Sequence, residues 1–126
     1  MDRRLFFMMT LAQGRLYKYA DKRCEAELGI TVTQSAALFY VLANEGCLLS
    51  ELATTLGLNN SAITGLSNRM EKNGLVQKRA CEQDGRASRI FLTNLGRKKV
   101  TASKPLLKRL NDEICEGFSD DKWRSS

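Results

Sequence analysis

The chain has 126 residues, a net charge of +6, four cysteines, one proline and no histidine. That length gives one domain, with helices to spare for a partner chain. No apolar run approaches the roughly 20 residues that span a bilayer. The cysteines show no C-x-x-C spacing and no clustered ligands for a metal, so neither a metal, a cofactor nor a disulfide framework is expected.

The opening "MDRRLFFMMTLAQGR" makes a poor signal peptide, because Gln13, Arg15 and Lys18 interrupt its apolar stretch. The expected location is cytoplasmic, with no membrane partner. Residues 2–28 carry Leu5, Met9, Ala12, Leu16 and Tyr19 at alternating steps of four and three, the seam of an amphipathic helix that Gly29 ends. Thr31 and Gln34 have the T-x-x-Q form of a capping box, followed by Ala37, Leu38, Val41 and Leu42, and "NEG" stops this second helix at Gly46.

"SELATTLG" predicts a short helix from Ser50 to Leu56, buried through Leu52, Ala53 and Leu56 and closed by Gly57. Ser50 is its expected cap, since Leu48 sits where a Ser or Thr would serve better. Asn59 then caps a helix from Asn60 to Lys72, which Asn73-Gly74 stops. Helix, short turn with glycine, helix is the helix-turn-helix pattern. "LVQKRA" and "SRIFLT" alternate as two strands around a turn containing Asp84-Gly85. Thr93 starts a further helix, Pro105 interrupts or restarts it, and Leu107, Leu110, Ile114 and Phe118 form its last apolar stripe. Ser119 is placed to cap a helix that the chain hardly continues.

Residues 59–104 hold ten Lys/Arg against three acids, whereas the remainder holds ten against eleven. The excess positive charge therefore sits in the second helix of the pair, the hairpin and the start of the helix that follows, which suits a polyanion. At 100° per residue, Ile63, Leu66 and Met70 share one face of the 60–72 helix, and Ser61, Thr64, Gly65, Asn68 and Lys72 share the other. A solvated face would normally carry better helix formers. Short polar groups let the backbone approach closely and can bond base edges in the DNA major groove. The free N–H groups at the helix start favour phosphate. The plainer alternative makes Asn59, Asn60 and Ser61 caps and Gly65 a packing residue. Arg79, Arg86 and Arg89 flank the tight turn, as in a wing that reaches a minor groove. Asp84 either holds the Arg86 guanidinium or simply makes the turn.

These residues carry a resemblance. "ELATTLG", "SAIT", "RMEKNGLV", "DGRASRIFLT" and "LGR" stand in the order and spacing of the winged helix-turn-helix of the MarR family of bacterial transcription regulators, and "LGITVTQSAALFYVL" resembles that family's second helix. The likeness covers about residues 2–118. It implies a mainly α fold with a small β-hairpin, a winged helix-turn-helix lobe over 31–100, and dimerisation helices at 2–28 and 105–126. It also implies a longer final helix than this sequence reaches. Ser61, Thr64 and Gly65 would take major-groove positions, Arg86 the wing tip, and Asp84 the carboxylate that steadies it. The full DNA-facing set is Asn60, Ser61, Thr64, Gly65, Asn68, Arg69 and Lys72 on the helix, with Arg86 and Arg89 on the wing at 81–89. The expected partners are double-stranded DNA, read as a pseudo-palindrome by a homodimer, and a small phenolic or lipophilic effector. Leu16, Tyr19, Leu38, Tyr40 and Leu42 are candidate effector-lining residues, although ordinary core is the simpler reading. Cys81, after Lys78-Arg79, and Cys24, after Lys22-Arg23, are candidate redox sites, or merely small buried hydrophobes. No catalytic constellation is present, so an enzyme is not expected; a winged-helix module for protein partners is the remaining alternative.

Overall fold

The computed structural model describes residues 3–119, with side chains from residue 13 to residue 113. In chain order the elements are α1 (Arg3–Leu28), α2 (Val32–Ala43), β1 (Cys47–Leu48), α3 (Leu49–Leu56), α4 (Asn60–Lys72), β2 (Val76–Ala80), β3 (Ser88–Leu92) and α5 (Asn94–Ser119). They fall into two compact units, Thr33–Thr101 and Met1–Val32 with Ala102–Ser126. No single described helix is long and apolar enough to cross a membrane.

The unit at Thr33–Thr101 contains the helix-turn-helix. Ala37, Leu38 and Val41 of α2 are fully buried, as are Leu52 of α3 and Met70 of α4, and Ile90 fills the same core from the sheet. α3 ends at Gly57, whose φ of +69° lets its N–H turn back to the Thr54 carbonyl while the Leu58 N–H reaches Ala53. Asn59 caps α4: its side-chain oxygen accepts from the Ala62 N–H at 2.8 Å. The bounds of α4 are those expected from the sequence.

β2 and β3 form the expected antiparallel hairpin, in register from Val76 opposite Leu92 to Ala80 opposite Ser88. A third strand was not expected. Two-residue β1 pairs with β3, Cys47 opposite Ile90 and Leu48 opposite Arg89, giving the order β1-β3-β2. The hairpin is tied to the start of α5. Thr93 donates Oγ1–H to the Gly74 carbonyl at 2.6 Å and accepts the Gly96 N–H at 3.0 Å. A Cβ on Gly96 would sit 2.2 Å from the Leu75 carbonyl oxygen, so only glycine allows this approach. Glu45 braces the same corner, accepting from the Leu92 N–H and pairing with Arg97.

Three local expectations are corrected. Ser50 does not cap α3; it lies in the first turn, and the cap position is extended Leu48, which offers no side-chain bond. Leu56 is half-buried where full burial was expected. Pro105 does not divide the last helix, because α5 is continuous around it and Ser119 is that helix's final residue. Pro105 has no N–H to give the Thr101 carbonyl, which costs roughly 3 kcal/mol in a helix interior. The neighbouring burial of Ser103, Leu106 and Leu110 opposes that cost.

In the unit that contains α1, the helix start at Val32 is secured by a residue outside the expected capping box: the Asp21 carboxylate accepts the Val32 N–H at 2.8 Å. The buried stripe of α5 runs through Val100, Ser103, Leu106 and Leu110, leaving Leu107 36% exposed instead of on the expected apolar seam. Tyr19 is likewise exposed. It donates its hydroxyl to Glu113 at 2.6 Å; Glu113 also pairs with Arg23, and Glu27 pairs with both Arg23 and Arg109. The side chains of Leu5, Met9, Ala12, Ile114 and Phe118, and residues 120–126, lie outside the described residues.

Candidate nucleic-acid interface

Helix α4 separates two chemistries cleanly. Ile63, Leu66 and Met70 are buried, and Ser67 joins them with its hydroxyl donated to the Thr64 carbonyl at 3.1 Å. Asn60, Ser61, Thr64, Asn68, Arg69 and Lys72 are exposed. The side chains of Ser61, Thr64, Arg69 and Lys72 have no hydrogen-bond or ion-pair partner among the described residues. Gly65 lies among them, and a Cβ there would meet only the Arg69 guanidinium, at 3.7 Å. Internal packing therefore does not require this glycine. Asn68 differs from its neighbours, since its side-chain oxygen accepts from Lys78 Nζ on β2.

The wing loop joins β2 to β3. The Cys81 N–H donates to the Ala87 carbonyl at 2.9 Å and the Ala87 N–H to the Asp84 carbonyl at 3.0 Å, closing a compact turn. The Asp84 carboxylate accepts the backbone N–H of Arg86 at 3.1 Å. That bond fixes the turn, and no ion pair joins the two side chains. Arg86 is exposed at the tip with no partner among the described residues. Arg89 is different: half-buried, it donates to the Gly46 carbonyl at 2.8 Å. Its strand neighbour Arg79 lies directly across the ladder, and Arg79 stacks on the Phe91 ring with 5.0 Å to the centroid. Two guanidinium groups in facing positions are thus drawn to separate partners.

A groove of about 320 Å³ opens between the first half of α4, the start of α3 and the wing, with Ser50, Asn60, Thr64, Lys78 and Arg86 among its lining. Lys78 was not among the expected site residues. Its place beside Asn68 depends on the strand register, which the hairpin's alternation could have revealed but the position of α4 could not.

The cysteines diverge. Cys24 is fully buried, and burial with the nearby Asp21 charge pushes its thiol up, opposite to what a reactive thiolate needs. Burial and Glu51 do the same to Cys47. The Cys81 thiol is held down, first by hydrogen bonds from the backbone at Asp84 and Gln83 and then by Arg89. Of the candidate effector-lining residues, Leu38 is fully buried core, Leu16, Tyr40 and Leu42 are half-buried, and Tyr19 is engaged with Glu113. No group of three or more metal-ligating side chains occurs among the described residues.

A recognition helix with a bare polar outer face, packed by a short helix and flanked by a basic β-loop, defines a winged helix-turn-helix protein. A model of the MarR family matches residues 28–87. The transcriptional activatory protein BadR of Rhodopseudomonas palustris is 31% identical over 120 residues, covering 92% of this chain and 68% of BadR. Among solved structures, the M. tuberculosis transcriptional regulator MOSR in complex with DNA is 28% identical with a TM-score of 0.75, over 86% of this chain and 77% of MOSR. The PcaV regulator of Streptomyces coelicolor, in complex with its natural ligand, is 25% identical with a TM-score of 0.76, over 90% of this chain and 82% of PcaV. The chain belongs to the MarR family of DNA-binding transcriptional regulators, and its relatives are regulators, not enzymes.

Proposed function

We propose that the protein binds a pseudo-palindromic operator in double-stranded DNA as a homodimer and represses transcription by occluding a promoter. Helix α4 enters the major groove, with Ser61, Thr64, Gly65 and Asn68 against base edges. Asn60, Arg69 and Lys72 lie toward phosphate, and Arg86 enters the adjacent minor groove. Asp84 shapes the wing turn through the Arg86 backbone, and Arg89 anchors the wing root. The observation that carries the reading is the outer face of α4: exposed, polar, open at Gly65 and unpartnered at Ser61, Thr64 and Arg69. The solved DNA complex of the MOSR relative supports it. The helical elements at both ends of the chain supply the dimer contacts, placing two α4 helices about one DNA turn apart.

The test is binding to duplexes that the purified protein selects from its own genome. Thr64→Ala should weaken the selected duplexes alone, each good base contact contributing about 1–3 kcal/mol of discrimination. Affinity should fall steeply as salt rises. A Thr64→Ala protein that keeps wild-type selectivity sinks the groove assignment.

One relative favours a second reading of the regulatory sign, because BadR is named an activatory protein. A promoter-reporter assay with and without the protein separates activation from repression. PcaV was solved with its natural ligand, which supports an effector here too; the phenolic or lipophilic class that the family resemblance implies is testable by thermal shift against a set of aromatic acids.

A further inference from the structure

One side chain on the outer face of α4 is not free to turn. Lys78 on β2 donates Nζ to Asn68 Oδ1. Glu71, on the same helix as Asn68, fixes Lys78 at two points. Its Oε2 accepts the Lys78 backbone N–H at 3.3 Å, and its Oε1 lies 3.8 Å from the ammonium. The Lys78 side chain is only 19% exposed, so this ammonium is not a group swinging in solvent.

An ammonium has three donors and no acceptor. The two arms of an asparagine amide have the same shape, but only the oxygen can face Lys78. The NH₂ is then the other arm of the same planar group, on an exposed residue. A free asparagine reads adenine with both arms, accepting from N6 and donating to N7. An amide oxygen has two lone pairs; with one taken up by an ammonium, and the oxygen turned toward it, the asparagine leads with its donors.

We propose that Lys78 is a positioning residue for base readout: by holding Asn68 Oδ1 it makes Asn68 present its NH₂ to the major groove. Asn68 then reads acceptors, the O6 and N7 pair of guanine or O4 of thymine; adenine offers N7 as well, but sets beside it an N6 donor that the engaged amide oxygen is poorly placed to accept. This assignment rests on the DNA-binding reading above and adds which edge of which base class is read.

The test selects binding duplexes from a fully randomised DNA pool and compares variants. Asn68→Ala identifies the base pair in each half-site that Asn68 reads, because preference there disappears. At that pair the wild type should favour guanine or thymine over adenine by about fivefold, the scale of one net hydrogen bond. Lys78→Met should let the amide turn and admit adenine, shrinking that preference to within about twofold while other positions keep theirs. Lys78→Arg, still a pure donor, should retain the wild-type preference. Asn68→Asp keeps a partner for Lys78 but loses the donors, and should move the preference to cytosine, whose N4 donates. Adenine as the preferred wild-type base overturns the proposal. So does a Lys78→Met protein that weakens on every duplex by one factor with the Asn68 preference intact. If Asn68→Ala changes no preference while Thr64→Ala does, the proposal fails and the DNA-binding reading stands. If the wild type enriches no sequence at all, the reading beneath it fails.

Discussion

Two regions expose polar side chains on helices, and they treat them in opposite ways. In the unit that contains α1, Tyr19, Arg23, Glu27, Arg109 and Glu113 close on one another, so each donor or carboxylate has a partner within the protein. On α4, Ser61, Thr64, Arg69 and Lys72 have none among the described residues, although all four stand on a single helix. Exposed ion pairs contribute little stability each, but a closed set fixes how two helices lie against each other. An open set contributes nothing until something outside fills it. Polarity on a surface is therefore a poor guide to function, and unspent hydrogen-bonding capacity is a better one.

The two regions should respond differently to substitution, and so should positions inside each. The largest effect belongs to a glycine that the fold itself demands. Gly96→Ala puts a Cβ 2.2 Å from the Leu75 carbonyl oxygen, where neither backbone can give way cheaply. A stability loss of about 2–3 kcal/mol is expected in urea unfolding. A loss below about 0.5 kcal/mol would mean that α5 slides away from Leu75 freely.

Arg86→Ala comes next and spares the fold, since Arg86 has no partner to lose. Affinity for every duplex should fall about tenfold, and the slope of log affinity against log salt should drop by about one. An unchanged slope would show that the Arg86 charge does not enter the minor groove.

Cysteine reactivity sharpens the contrast on a smaller scale. Cys47 and Cys81 are both 6% exposed, yet their thiols are shifted in opposite directions. Site-resolved alkylation at neutral pH should therefore label Cys81 severalfold before Cys47. Equal rates would show that the wing backbone does not hold the thiolate.

The smallest effect is expected from the closed network. Bonds from Tyr19 and Arg23 hold Glu113 below the usual carboxyl value of 4.5, and bonds from Arg23 and Arg109 do the same for Glu27. A depressed carboxylate supports the fold above its unfolded value and ceases to as pH falls through the folded one. The melting temperature should therefore hold steady down to about pH 5 and sag slightly below 4.5, the sag being small because both side chains are at least a third open to solvent. A large acid loss removed by Glu113→Gln would show a stronger role than solvent exposure allows.

Much of α4 was legible in the sequence because its signals are local. A capping asparagine, an apolar triad at Ile63, Leu66 and Met70 and an Asn-Gly stop all act within one helix. Tertiary context decided the rest. β1 has only Cys47 and Leu48, too short for alternation to show, and exists because β3 has an edge to pair. Pro105 is a helix breaker by propensity, and its neighbours Leu106 and Leu110 are buried deeply enough to override it. Arg89 reads as one more wing cation until pairing with β1 brings it beside the Gly46 carbonyl. The hold of Lys78 on Asn68 joins residues on different elements, and no periodicity within α4 announces it.

Gly65→Ala tests most directly whether the outer face of α4 is kept for DNA and not for the fold. A glycine inside a helix costs roughly 1 kcal/mol against alanine, and the new Cβ would meet only Arg69, at an ordinary 3.7 Å. The expected result is a protein that unfolds at higher urea and binds its selected duplex severalfold more weakly. Higher stability with undiminished affinity would contradict the claim that this face touches bases.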